Sequence, residues 1–386
     1  MCLIKLKLFL ANTLFLIFWI SIETLFAQRS AASKLYGVTI DDVTGLKDIR
    51  SSLSAHCQKM TARIVFDENI PATDYKSAVD TIHVVAYTMG ELVDSYAMKN
   101  YSLSSYLSRT NEYFNLLGGK VDIWEIGNEV NGEWCGTIQS VISKISGAYS
   151  LVKKAGGKTA LTLYYNPNCY SVAKNEMFFW VNNFLPDSMK KSLDYVLVSY
   201  YEDDCNDFQP NWQTVFDSLH VLFPNSLLGI GECGTALSPK KADLMKKYYS
   251  LNISTAGFIG GNFWWYYKTD CVPKTKALWD TLNKHLCAPT SIMPIPKPSP
   301  AFNIRAYPNP FHQTIQLEIE SGKSLEITGQ ILNLLGTEFA RFEIKYNSSE
   351  NKFYQIPLIN PMPNGIYFLK LRGLEGTVNM VKILKD

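Results

Sequence analysis

Histidine is scarce and scattered: His56, His83, His220, His285 and His312 are the only five in 386 residues, and no Cys-x-x-Cys pair occurs anywhere. A structural zinc site has no ligand set to draw on, and metal-dependent deacetylation lacks the His/Asp cluster it would need. No Gly-x-Ser-x-Gly elbow is present and no histidine stands beside a candidate active serine, which disfavours a serine hydrolase. The turn after the first apolar run, Ile40-Asp41-Asp42-Val43, lacks the glycines a dinucleotide-binding fold requires there. Long runs of one charge are missing too: 37 basic and 35 acidic residues leave a net charge of +2. Nothing in that balance steers a nucleic acid or a polyanionic surface toward the chain, so a neutral or mildly charged partner is expected.

One long apolar run does occur, at residues 8–22, preceded by Lys5 and Lys7 and followed by Ala27. This is the pattern of a signal peptide over residues 1–27, with an uncleaved anchor as the rival reading; either way the remainder is exported. Seven cysteines follow it, so at least one stays unpaired in an oxidising compartment. Cys135, Cys169, Cys205, Cys233 and Cys271 each follow a predicted strand, which places them on one rim and favours a disulfide or two among those loops, pairing unassigned.

Prolines at 289, 294, 296, 298 and 300 mark residues 288–301 as an extended linker between two textures. Upstream, over residues 28–287, apolar runs at 36–40, 62–66, 83–88, 121–126, 160–164, 195–201, 227–231 and 257–265 read as strands. Helix candidates such as 101–117, 137–154 and 240–251 alternate with them. Eight strand–helix units in about 250 residues predict a (β/α)8 barrel of the α/β class, with a doubly wound open sheet as the alternative. Downstream, residues 302–386 read as a small all-β sandwich with strands near 314–319, 324–333, 353–357 and 366–372. Its motifs Tyr307-Pro308-Asn309-Pro310-Phe311, Gly329-Gln330-Ile331-Leu332-Asn333, Gly365-Ile366-Tyr367-Phe368 and Val381-Lys382-Ile383-Leu384-Lys385 resemble the C-terminal sorting domain of type IX secretion cargo. That resemblance implies passage through the outer membrane and makes the type IX machinery a partner, in place of a carbohydrate-binding sandwich.

Two glutamates end predicted strands 4 and 7, in Trp124-Glu125-Ile126-Gly127-Asn128-Glu129 and Gly229-Ile230-Gly231-Glu232-Cys233-Gly234. In a (β/α)8 barrel the ends of the strands share one pocket, so Glu129 and Glu232, 103 residues apart, are expected to face each other. Paired carboxyls suit glycoside cleavage, where one protonates the departing oxygen and the other attacks the anomeric carbon. This order of motifs resembles clan A glycoside hydrolases, in a family 5-like form, over roughly residues 35–285.

The resemblance implies Glu129 as acid/base, Glu232 as nucleophile and Asn128 on the substrate 2-hydroxyl. It also implies Arg63 on strand 2 as the cation that keeps the nucleophile ionised, and Tyr201 as its hydroxyl partner. Ser199 stands where the clan often has a histidine, a departure that loosens inference about the sugar. The aromatic strand 8, Asn262-Phe263-Trp264-Trp265-Tyr266-Tyr267, offers Trp264 or Trp265 as a platform for a sugar ring, since alternation turns one of them inward. Trp134 and Tyr165 are divided evenly between platform and packing. Glu202, Asp203, Asp204, Asp41 and Asp42 also follow strands, as distal-subsite or solvated acids, with solvation favoured for Asp203 and Asp204.

The expectation is a secreted, monomeric retaining glycosidase of β-linked polysaccharide or oligosaccharide, of the β-glucan, mannan or xylan class. It needs no metal or organic cofactor. The rival from another class is a catalytically silent barrel that binds glycans at the cell surface; the presence of both glutamates argues against it.

Overall fold

The computed structural model describes residues 34–167, 169–287, 303–333, 337–347, 353–356, 362–373 and 378–386. The predicted leader (1–27) and linker (288–301) lie outside them. The chain divides into two compact units between Ala288 and Pro289.

In the first unit eight parallel strands close into a barrel in chain order: β1 (Leu35–Ile40), β2 (Thr61–Val65), β3 (Tyr87–Glu91), β4 (Ile123–Glu125), β5 (Thr159–Tyr164), β6 (Tyr195–Tyr200), β7 (Leu227–Cys233) and β8 (Phe258–Trp264). All six residues of β5 and all six of β6 are buried, as expected of parallel strands covered on both faces. Leu35, Met89, Ile123, Ala160, Tyr195, Leu197, Ile259 and Phe263 form one apolar cluster contributed by all but two of the strands. Such a layer makes the barrel a packed core rather than a pore. The open-sheet alternative is thereby excluded.

The helices between strands follow from apolar spacing and caps. In α3 (Leu103–Leu117), Tyr106, Arg109, Thr110, Tyr113, Phe114 and Leu117 are buried at the three- and four-residue spacing of one helix face. Ser102 caps its start by accepting from the Ser105 amide at 3.1 Å, an interaction whose loss costs about 1 kcal/mol. In α4 (Ile138–Lys154), Thr137 accepts from the Ser140 amide, and Lys153 and Lys154 lie at the end where the helix dipole is negative.

Strand 3 departs from expectation. Residues 83–86 do not belong to it: His83 closes the preceding helix, α2 (Ala72–His83), and the amides of Val85 and Ala86 donate to the Ile82 carbonyl in the turn that follows. The strand instead runs to Glu91, whose carboxylate enters the site described below. Two disulfides are present, Cys169–Cys205 joining the loops after β5 and β6, and Cys57–Cys287. The first falls among the rim cysteines as expected; the second links two cysteines outside that set. Cys135, Cys233 and Cys271 are free and buried.

The second unit is all-β, with a three-stranded sheet β13–β10–β9 and a four-stranded sheet β12–β11–β14–β15. These comprise β9 (Asn303–Tyr307), β10 (Ile315–Glu320), β11 (Leu325–Asn333), β12 (Glu338–Tyr346), β13 (Phe353–Ile356), β14 (Gly365–Gly373) and β15 (Val378–Lys385). Ile315, Leu317 and Ile319 from one sheet and Ile327, Ile331, Leu369 and Leu371 from the other share a single core, the arrangement of a sandwich. Strands β9, β12 and β15 were not among the four expected, although β12 buries alternate residues from Ala340 to Tyr346.

Candidate active site

A cavity of about 580 Å³ opens where the strands end, lined by Asn128 and Glu129 beyond β4, Tyr201 beyond β6, Glu232 in β7 and Trp265 beyond β8. The topology brings these groups together: each strand end contributes its own residue to one mouth. Glu129 has φ of 45°, a left-handed conformation that costs a non-glycine residue energy and is held here by its surroundings.

The two glutamates are equally buried, at 6% and 5% exposure, and differently partnered. Glu232 Oε2 accepts from Arg63 Nη1 at 2.8 Å, and its Oε1 accepts from the Tyr201 hydroxyl. Among the described residues Glu129 touches no cation. Its Oε1 accepts from Ser199 Oγ at 2.5 Å and its Oε2 from Ser95 Oγ at 3.0 Å. Trp134 Nε1 donates to Ser95 Oγ at 2.9 Å, which leaves the Ser95 proton free to point at Glu129.

Burial raises the proton affinity of both acids, and the partners decide by how much. Burial and the neighbouring Glu232 charge push Glu129 up to about 8, against the hydrogen bonds from Ser199 and Ser95. Glu232 is also raised by burial, but the Arg63 guanidinium and the Tyr201 hydroxyl oppose that rise. The two sets of partners thus set the proton affinities of the paired glutamates apart.

Arg63 is fully buried and does not line the cavity; it stands behind Glu232. Its Nε and Nη2 donate to Glu125 at 2.7 and 3.2 Å, and Nη2 lies 3.1 Å from Glu91 Oε2. One guanidinium therefore faces three buried carboxyls. A single positive charge cannot balance three negative ones out of water, and burial holds Glu91 well above the usual carboxylate range. Thr162 donates to Glu125 and completes the array.

The two tryptophans of strand 8 separate. Trp265 lines the cavity, with the Arg63 guanidinium 5.7 Å from its ring centroid. Trp264 is fully buried away from it, its indole N–H donating to Asp270 at 2.9 Å, so its expected role against substrate is corrected to packing. Alternation holds across the pair, with Phe263 in the barrel core, Trp264 turned away and Trp265 at the mouth, although Gly260, Gly261 and Asn262 have φ of 87°, 88° and 66° and the pairing of β8 with both neighbours shifts register. A side chain at Gly261 would place Cβ 2.2 Å from the Ile230 carbonyl, so only glycine fits that approach.

Trp134 lines the cavity and stacks on Tyr96 with centroids 5.3 Å apart, whereas Tyr165 packs against Phe178, Tyr200 and Trp212; Tyr164 takes the lining position instead. Asp203 and Asp204 line the cavity. Glu202 is buried elsewhere against Lys247 and Tyr248, and Asp41 and Asp42 do not reach the lining. Asn128 lines it with Oδ1 buried and unpartnered. Sequence reasoning passed over Ser95, Glu91 and Glu125 as functional groups. A charged residue inside an apolar strand was the available signal for Glu125, and the displaced strand 3 hid the equivalent signal at Glu91. Among the described residues no three His, Cys, Asp or Glu side chains are placed to hold a metal ion.

The fold is thus a (β/α)8 barrel followed by an all-β unit. Residues 305–385 match the secretion system C-terminal sorting domain family, which marks the chain for type IX secretion to the outer surface or the extracellular space. Comparison with curated proteins finds no match.

Among solved structures, the chain is similar to an FMN-binding beta-glucuronidase from Facaelibacterium prausnitzii L2-6, at 11% identity and TM-score 0.45, over 93% of this chain and 57% of that one. It is similar to a calcium-binding mutant of Bacteroides uniformis beta-glucuronidase 2, at 12% and 0.45, over 92% and 45%. Saccharomyces cerevisiae Gas2p in complex with laminaritriose and laminaritetraose follows at 11% and 0.43, over 66% and 64%. At such identities the likeness concerns the fold alone, and the chain spans about half the length of the first two.

Proposed function

We propose that the barrel is a retaining glycoside hydrolase acting on β-linked polysaccharide or oligosaccharide. The observation that carries this reading is the unequal partnering of two buried glutamates at one barrel mouth: Glu232 on a guanidinium and a phenol, Glu129 on two serine hydroxyls. The guanidinium and phenol favour a carboxylate at Glu232, while burial and the Glu232 charge keep the proton on Glu129 against its two hydroxyl donors, and double displacement needs one of each.

In the first step a Glu232 oxygen forms a bond to the anomeric carbon as the bond to the leaving oxygen breaks, and Glu129 gives its proton to that oxygen. Bonding to the sugar removes the charge of Glu232, which lowers the proton affinity of Glu129. Glu129 then takes a proton from water as the water oxygen attacks the anomeric carbon, releasing the sugar and restoring Glu232. Asn128 Oδ1, an acceptor without a partner, suits a sugar hydroxyl, and Trp265 offers a flat face to the ring.

The test is a panel of plant, algal and fungal β-glycans and aryl β-glycosides. Turnover by the wild-type protein that disappears in Glu232→Ala, with unfolding temperature retained, supports the reading. A folded protein that binds these glycans and cleaves none of them makes it a surface glycan-binding barrel.

A further inference from the structure

The cavity carries charge of one sign. Besides the paired glutamates, Asp94, Glu133, Asp203 and Asp204 line it, and among the described residues no lysine, arginine or histidine does. Neutral donors fix two of these acids without cancelling their charge. Glu133 Oε1 accepts from the Ser171 and Val172 amides at 2.6 and 2.7 Å, and Asp94 Oδ1 accepts from the Tyr96 amide at 2.9 Å. Lys240 lies 2.8 Å from Asp203, but it also serves Asp207 at 2.9 Å. Asp204 has no cation within ion-pair distance among the described residues. The one cation close to the reacting carbon, Arg63, is buried behind Glu232 and engaged by three carboxyls. A sugar carboxylate or sulfate entering this space would meet like charge and no bidentate partner, the opposite of how proteins recognise such groups.

A second observation concerns what the wall asks of a ligand. Asn128 lines the same cavity, and its Oδ1 is buried without a hydrogen bond, so a donor is the partner its side chain lacks. A hydroxyl supplies one and an ammonium group supplies up to three, with a positive charge in addition.

We infer that the cavity is a charge filter: it takes β-linked glycans whose rings carry hydroxyl or protonated amino groups, preferring the amino form, and turns away uronates and sulfated sugars. This deepens the glycosidase reading and rests on it for the catalytic readout only.

The experiment has two arms. In the first, kcat/KM is measured at low ionic strength on an aryl β-glucoside, its 2-amino-2-deoxy counterpart and the corresponding β-glucuronide. In the second, calorimetry on folded Glu232→Gln measures binding of cellohexaose, its fully deacetylated glucosamine analogue and its C6-carboxylated analogue. The expected order is amino above neutral above carboxylate, with the carboxylate at least tenfold below neutral. Added salt should compress the spread, and Asp204→Asn should narrow it several-fold. Binding or turnover of the carboxylate equal to the neutral compound overturns the filter; an amino form weaker than neutral overturns the stated preference. Absence of turnover with the binding order intact defeats the glycosidase reading and leaves the filter standing.

Discussion

The ends of β4 and β7 place the same side chain at the same depth and give it opposite company. At β7, Glu232 meets a cation and a phenol; at β4, Glu129 meets two serines, one of them aligned by Trp134. Burial alone raises both proton affinities, so burial cannot assign roles. The partners do, because a guanidinium stabilises the charged form far more than a neutral hydroxyl can. A carboxyl pair is therefore informative as a site only when the groups behind it are known.

Several substitutions break or sharpen this contrast. Glu232→Ala should lower kcat on the order of 10⁴-fold or more, read by steady-state kinetics, since it removes the one member of the glutamate pair that has a cation behind it. Glu129→Gln should cost about 10²–10⁴-fold with poor leaving groups and much less with a nitrophenolate, which departs without a proton. Arg63→Ala strands Glu91, Glu125 and Glu232 in the interior without their cation. Its unfolding free energy should fall by about 3–5 kcal/mol in a denaturant titration.

The pH profile of kcat/KM should fall as pH rises through about 8, because the acid must hold its proton. It should fall again at low pH as Glu232 is protonated, at a pH above the ordinary glutamate range because burial raises that group. Ser199→Ala removes a donor that favours ionised Glu129, so it should move the basic limb upward by about one pH unit. Glu91→Gln should change both stability and rate least. Burial raises the proton affinity of Glu91 well above the usual carboxylate range, and an amide mimics the neutral acid this favours at nearly constant shape. A large loss in that variant would show that Glu91 carries charge beside Arg63.

Much of this was legible in the residues. Seven strands, the reading frame of the barrel and the convergence of Glu129 and Glu232 follow from β-branched runs and from the polar residues that end them, while Asn128, Arg63 and Tyr201 were marked out only by the family resemblance. What escaped depended on backbone irregularity or on contacts distant in sequence. Strand 3 was displaced because the apolar run Val84-Val85-Ala86 forms the turn after α2 rather than the start of the strand. Trp264 and Trp265 do alternate, but two adjacent tryptophans at a strand end carry no mark of which one turns inward. Ser199 was visible as a departure from an expected histidine, yet its bond to Glu129 spans 70 residues and no local pattern encodes it. The Cys57–Cys287 bridge, 230 residues apart, is legible only once the barrel has closed.

The most direct test of the assignment is the configuration of the glycosyl azide formed when each glutamate is replaced by alanine and azide is supplied, read by proton NMR. With Glu232 as nucleophile, Glu232→Ala should yield the α-azide from a β-glycoside, because azide enters the vacated space and displaces the leaving group directly. Glu129→Ala should yield the β-azide, because azide attacks an intact glycosyl-enzyme. The reverse pair of products would contradict the account and exchange the two roles.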